Sequence, residues 1–177
     1  MQIEFVTELF EKARARDIHT CLDTSGITFL PDNPVYLEKL DRLLASTCLV
    51  MLDIKQIQPE KHKTLTGHSN QRILAFASYL NEKGVPMWIR HVVVPTITDN
   101  EKDLYELGWF IGGLKMVKAL DVLPYHDMGK VKYQQLGMDY PLKDISPMSK
   151  DGALEAKKSI LRGIRDRRAS LSSPSCS

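Results

Sequence analysis

Thr47-Cys48-Leu49-Val50-Met51-Leu52 is an almost unbroken apolar run, and it stops abruptly at Asp53-Ile54-Lys55. Continuity over so short a length predicts a strand covered on both faces, as in a parallel sheet. Working outward, the same change from apolar strand to polar tip recurs. Ile18 to Leu22 reads as a short strand that runs into Asp23-Thr24-Ser25-Gly26, where Ser25-Gly26 signals a turn. Met87 to Val94 is rich in β-branched and aromatic residues, and Ala119 to Leu123 reads as a fourth strand before Pro124-Tyr125-His126-Asp127.

Helical periodicity fills the intervals. Ile3, Val6, Phe10 and Ala13 share one face of an opening helix. Asn33-Pro34 is an N-cap followed by a proline at the first helical position, with Leu37, Leu40 and Leu44 behind it. Ile73, Ala77 and Leu80 mark a helix closed by Gly84, Leu104, Leu107, Ile111 and Leu114 the cleanest amphipathic stripe, and Ser149 to Ile164 a last helix. Strands alternating with helices predict an α/β fold of parallel strands joined by right-handed crossovers, either an open doubly wound sheet or part of a barrel. Residues 1–163 are expected to form the domain, with strands missing ahead of residue 1. The polar, Ser- and Arg-rich residues 164–177 are expected to be an unstructured tail.

Composition narrows the partners. The chain has 177 residues, 43% hydrophobic and 26% charged, with net charge +2. Its Lys and Arg are dispersed, which gives no footprint for nucleic acid. No window approaches the apolar length of a membrane span, and a cytoplasmic location is expected. Cys21, Cys48 and Cys176 have neither disulfide nor metal spacing, so Cys21 and Cys48 are expected as buried free thiols and Cys176 as exposed.

Chemistry is expected at the strand tips, where parallel α/β proteins build their sites. Asp23-Thr24 offers oxygens to a cation or polar ligand, or forms a turn into Ser25-Gly26. Asp53 and Lys55, two apart on an extended backbone, project to one side and suit a ligand carrying both amino and carboxylate groups, or pair with each other in solvent. Arg90 lies inside an apolar strand and calls for an anionic or carbonyl partner; alternation sets it with Trp88 and Val92, opposite Ile89, His91 and Val93. His126 sits where an imidazole meets a ligand or packs structurally. Lys61-His62-Lys63 reads as a solvated helix face. No Gly-x-Gly-x-x-Gly, phosphate-loop, His-Glu-x-x-His or Gly-x-Ser-x-Gly motif is present.

At these tips the sequence resembles the pyruvate formate-lyase activating enzymes. The likeness is carried by Ile18-His19-Thr20-Cys21-Leu22-Asp23-Thr24-Ser25-Gly26, Leu49-Val50-Met51-Leu52-Asp53-Ile54-Lys55-Gln56, Trp88-Ile89-Arg90-His91-Val92-Val93-Val94-Pro95 and Leu123-Pro124-Tyr125-His126-Asp127-Met128-Gly129-Lys130, in order. The resemblance implies a partial (β/α) barrel of the radical S-adenosylmethionine type. In that family a 4Fe-4S cluster reduces S-adenosylmethionine, and the resulting radical takes a hydrogen atom from a backbone glycine of a glycyl radical enzyme, most often pyruvate formate-lyase. A reduced flavodoxin-type protein donates the electron. By the same resemblance Asp53, Ile54 and Lys55 contact S-adenosylmethionine, His126 reaches its nucleoside end, and Arg90 lies near the cofactor. Asp23, Thr24, Asp53 and the Met51 carbonyl match the family's monovalent-cation site.

Three departures stand out. The family's Cys-x3-Cys-x2-Cys segment and Gly-Gly-Glu strand would lie upstream of residue 1, so the chain alone is expected to hold no cluster and to be inactive. Thr96 stands where the family's Val-Pro-Gly turn has glycine. The ending after Ile164 does not match. Two rival readings remain: an unrelated barrel enzyme using Lys55 as a Schiff-base amine or His126 as a base, and a non-catalytic barrel remnant that binds a partner.

Overall fold

A computed structural model of the chain describes residues 2–172. Helix α1 (Ile3–Arg14) precedes strand β1 (Cys21–Thr24), and α2 (Pro34–Ala45) leads to β2 (Leu49–Asp53). Helices α3 (Pro59–Thr66) and α4 (Gln71–Glu82) lead to β3 (Met87–Val93), α5 (Glu101–Gly112) to β4 (Val117–Pro124), and α6 (Lys130–Gln135) and α7 (Lys150–Ser172) follow. The four strands form one parallel sheet in the order β1-β2-β3-β4, and it does not close. Sequential order decides between the two expected topologies, because a doubly wound sheet reverses direction midway. Right-handed crossovers then set α2 and α4 on one face of β1, β2 and β3.

That placement corrects the expectation for β2. Only Val50 and Leu52 are buried, while Leu49, Met51 and Asp53 are half-buried. The ladders pair Cys21 with Leu49, Asp23 with Met51, Met51 with Trp88 and Asp53 with Arg90, so these residues share the helix-free face. Cys21 is on that face too and is exposed, contrary to expectation. Cys48 is half-buried, and hydrogen bonds from the Thr20 backbone and hydroxyl hold its thiol below the usual range.

Two compact units divide the chain, Met1–Arg90 with Leu114–Asp121, and His91–Gly113 with Val122–Ser177. In the first, Leu40, Leu43 and Leu44 of α2 and Ile73, Phe76, Ala77 and Leu80 of α4 are buried along with Val50, Leu52, Met87 and Ile89 of the sheet. The Asn33 side chain caps α2 by accepting from Tyr36 N at 2.9 Å.

In the second unit α5 packs along α7. Gly108 and Gly112 lie one turn apart on α5, and Gly163 answers them on α7. A Cβ on Gly108 would overlap the Ile160 carbonyl, and one on Gly163 the Tyr105 carbonyl, so the two backbones touch. The stretch from Ile164, expected to be unstructured, is helical to Ser172. Ile164 is still buried, and the Arg167 guanidinium lies over the Trp109 ring at 5.3 Å. A helix already nucleated and packed propagates through such good helix formers as arginine and alanine. Residues 173–177, including Cys176, lie outside the described residues.

Candidate functional site

The first unit brings four of the expected residues together. Asp23 is the next-to-last residue of the edge strand β1 and pairs with Met51, Asp53 ends β2 two residues beyond Met51, and Arg90 is the Cα partner of Asp53 on β3. Arg90 Nε donates to Asp53 Oδ1 at 2.6 Å and its Nη2 to Asp23 Oδ1 at 2.8 Å. Asp23 is two strands from Arg90, about 9.6 Å at the usual strand spacing, so the guanidinium spans β2 above Met51. Lys55 Nζ approaches the other oxygen, Asp53 Oδ2, at a longer 3.4 Å. Side-chain exposure is 22% for Arg90 and 21% for Asp53 but 60% for Asp23, so the Arg90–Asp53 pair is the shielded centre and Asp23 its open rim.

Charge balances within the group: two carboxylates, one guanidinium and one ammonium. Hydrogen bonds to Asp53 and then Asp23 push the guanidinium pKa above its ordinary value. Arg90 therefore has the anionic partners its sequence position demanded, and the expected Asp53–Lys55 pairing is present. Below them Leu49, Met51 and the partly exposed Trp88 make an apolar floor.

The remaining expected residues are placed differently. Thr24 alternates away from Asp23, and its Oγ1 accepts from Gly26 N at 3.0 Å, so the local turn is made by the threonine hydroxyl. The Ile54 side chain is fully buried, and its N–H donates to the Arg90 carbonyl at 3.0 Å. His126 is in the second unit, exposed just past β4.

The sequence reading missed His62 and Asn70. His62 is 2% exposed, not on a solvated face. Asn70 is fully buried, and its Nδ2 donates to the Gln56 and Ile57 carbonyls at 3.0 and 2.6 Å, pinning the loop that follows Lys55. Helical spacing carries no signal for His62, whose neighbours Lys61 and Lys63 are charged; the Gly67 to Asn70 turn signal downstream is the only local hint.

A sequentially ordered parallel sheet with helices on one face and a charged cluster at its carboxyl tips defines an α/β protein of the barrel class. The chain belongs to the radical SAM superfamily, whose family model matches residues 1–108. It is 49% identical to the pyruvate formate-lyase-activating enzyme of Streptococcus mutans over 158 residues, 89% of this chain and 60% of the relative. Identity is 43% to the pyruvate formate-lyase 1-activating enzyme of Escherichia coli over 161 residues, 91% of this chain and 63% of the relative. The chain thus spans about three-fifths of the length of these relatives.

Among solved structures, a domain of pyruvate-formate lyase-activating enzyme from Bacteroides vulgatus matches with TM-score 0.68 at 20% identity, covering 93% of this chain and 86% of that one. Coproporphyrinogen III oxidase from Escherichia coli matches with TM-score 0.60 at 12% identity, covering 94% of this chain and 38% of that one. At those identities the likeness speaks for the fold.

The superfamily implies S-adenosylmethionine and a 4Fe-4S cluster. Such clusters are held by several thiolates. Among the described residues no three His, Cys, Asp or Glu side chains are grouped to hold a metal, and the free cysteines are Cys21 and Cys48. These residues do not fit the cluster. A charged group offering both carboxylates and an ammonium does fit the amino-acid end of S-adenosylmethionine.

Proposed function

We propose that this chain is the S-adenosylmethionine-positioning part of a glycyl-radical-enzyme activase acting on pyruvate formate-lyase. The observation that carries the reading is the Asp23–Arg90–Asp53–Lys55 group, standing at strand tips in a chain 49% identical to an activase over 89% of its length. S-adenosylmethionine, when bound, supplies the radical chemistry. The chain's own residues bind and orient it. Lys55 donates to the methionine carboxylate, Asp53 accepts from the ammonium, and Ile54, whose side chain is in the core, contributes through its backbone. His126 takes the nucleoside end, and Arg90 fixes both carboxylates so that they present constant geometry.

A monovalent cation held by Asp23, Asp53, the Met51 carbonyl and Thr24, the last through its backbone carbonyl because its hydroxyl serves the turn, belongs to the same proposal. The methionine carboxylate of bound S-adenosylmethionine would give such a cation a further anionic oxygen. Cation and ligand should therefore bind together.

The partner enzyme, a flavodoxin-type electron donor and a cytoplasmic location complete the proposal; among the described residues no helix is long and apolar enough to cross a membrane. The chain by itself is proposed to be inactive for want of cluster ligands. A second reading is a non-catalytic module that retains partner recognition.

Equilibrium titration with S-adenosylmethionine tests the first reading. The chain should bind, potassium should tighten binding, and Asp53→Ala should weaken it roughly tenfold, the loss of one charge-assisted hydrogen bond. Undiminished affinity in Asp53→Ala removes that residue from the site, and no binding at all leaves the second reading. Anaerobic reconstitution should give no stable cluster absorbance; one full cluster per chain would overturn the assignment of the cysteines.

A further inference from the structure

Three helices of the chain begin at an asparagine, and two of them use its side chain as a cap. Asn33 Oδ1 accepts from Tyr36 N at 2.9 Å ahead of α2, and Asn100 Oδ1 accepts from Asp103 N at 3.2 Å ahead of α5. Both have an extended backbone, which aims the side chain at the unpaired amides of the first turn. Asn70 stands at the same position before α4, but its φ of −85° and ψ of −2° are helical and its side chain caps nothing.

That side chain is turned to the preceding loop instead. Nδ2 lies 3.0 Å from the Gln56 carbonyl oxygen and 2.6 Å from that of Ile57. A carbonyl only accepts, so the two bonds identify this atom as the nitrogen. Oδ1 is then buried with no hydrogen-bond partner among the described residues. A forgone cap and a stranded acceptor both lower stability, and local losses of this kind mark residues retained for a site.

The two bonds hold the backbone that carries Lys55. On its N-terminal side the Ile54 side chain is fully buried and the Ile54 N–H donates to the Arg90 carbonyl at 3.0 Å. On its C-terminal side Gln56 is buried, its carbonyl accepts from Asn70, and its Oε1 accepts from Gln58 N at 3.0 Å. Lys55 thus leaves the strand tip between two fixed residues, with a side chain that is itself 45% exposed. Its ammonium has three donors and makes only a long 3.4 Å contact with Asp53 Oδ2, so a ligand carboxylate can be bound beside Asp53.

We propose that Asn70 is a positioning residue of the strand-tip site: by fixing the Gln56 and Ile57 carbonyls it holds Lys55 ready for the carboxylate of S-adenosylmethionine. Asn70 touches no ligand and acts through Lys55, whose ordering precedes binding instead of opposing it. This role rests on the cofactor reading above.

Asn70→Ser tests it, since serine starts a helix as well as asparagine does but brings one donor to two carbonyls. In equilibrium titration of the full chain, S-adenosylmethionine should bind Asn70→Ser roughly three- to tenfold more weakly than the parent, the effect of ordering one long side chain on binding. In a Lys55→Met background the same substitution should change affinity less than about twofold, a coupling that general weakening of the fold does not produce. Parent-like binding by Asn70→Ser, or equal losses in the two backgrounds, overturns the role of Asn70 and leaves the cofactor reading standing. A parent chain that does not bind S-adenosylmethionine rejects both. Should Asn70→Ser not fold, hydrogen exchange in the parent decides: saturation with S-adenosylmethionine must slow exchange of the Asn70 carboxamide and of the backbone amides of residues 55–58, because a ligand that uses the clamped loop stabilises the clamp. Unchanged rates reject the role.

Discussion

Arg90 and Asp53 are joined twice, as Cα partners in the β2–β3 ladder and through a 2.6 Å bond from Arg90 Nε to Asp53 Oδ1. Backbone register thus preassembles the ion pair, so little side-chain freedom is lost in making it. Removing the guanidinium leaves Asp53 shielded beside Asp23 with only the distant Lys55 for balance. Arg90→Met should destabilise the fold by about 1–3 kcal/mol, and a double-mutant cycle with Asp53→Asn should show coupling of about 1 kcal/mol or more in urea denaturation. Arg90→Lys should recover little, because one ammonium cannot reach both carboxylates in a fork. Additive single-mutant effects would show that the pair contributes nothing beyond its parts.

Much of this site was legible because strand alternation is local. Asp53 and Lys55 follow from parity, Arg90 from its apolar context and Asp23 from its place just past a strand, and the partner demanded by Arg90 exists. The covering of β2 was not legible. Leu49 and Met51 face the helix-free side yet are apolar, since the floor beneath a polar rim uses the same residues as a core. His62 escaped for a different reason: its burial depends on the His68 carbonyl folding back over α3, a contact that no helical periodicity announces. The extent of α7 depends on its packing against α5, where composition alone suggested a tail.

Tyr125 gives the second unit an alkaline limit. Burial, then its 2.8 Å hydrogen bond with Tyr140, push its phenol from 10.0 up to about 12. The folded chain therefore holds this proton more tightly than the unfolded chain. Its stabilising contribution is complete below about pH 10 and is lost as pH rises through about 12. Denaturant midpoints should fall over that interval in the parent and fall less in Tyr125→Phe. Equal slopes in the two proteins would remove Tyr125 as the cause.

Thr96 has φ of 64°, in the left-handed region where a β-branched residue is strained. It is exposed, so no packing depends on its side chain. Thr96→Gly removes a strain of order 1–3 kcal/mol and adds up to about 1 kcal/mol of unfolded-state entropy. A net stabilisation of about 1 kcal/mol should appear as a higher denaturation midpoint. Thr96→Ala should help less, because the Cβ remains.

Gly108 and Gly113 separate close approach from helix propensity. A Cβ at Gly108 meets the Ile160 backbone, which cannot turn aside as a side chain would, whereas a Cβ at Gly113 meets the Phe110 carbonyl at 3.4 Å, ordinary contact. Gly113 also has φ of −79°, which any residue adopts. Alanine favours a helix over glycine by about 1 kcal/mol, so propensity alone predicts that both Gly108→Ala and Gly113→Ala stabilise. Backbone contact predicts instead that Gly108→Ala loses about 3 kcal/mol by forcing α5 off α7, while Gly113→Ala is neutral or better. Thermal unfolding of the two variants distinguishes the outcomes. A Gly108→Ala protein as stable as its parent would mean that the helices part without cost, and that α7 is not anchored through this glycine face.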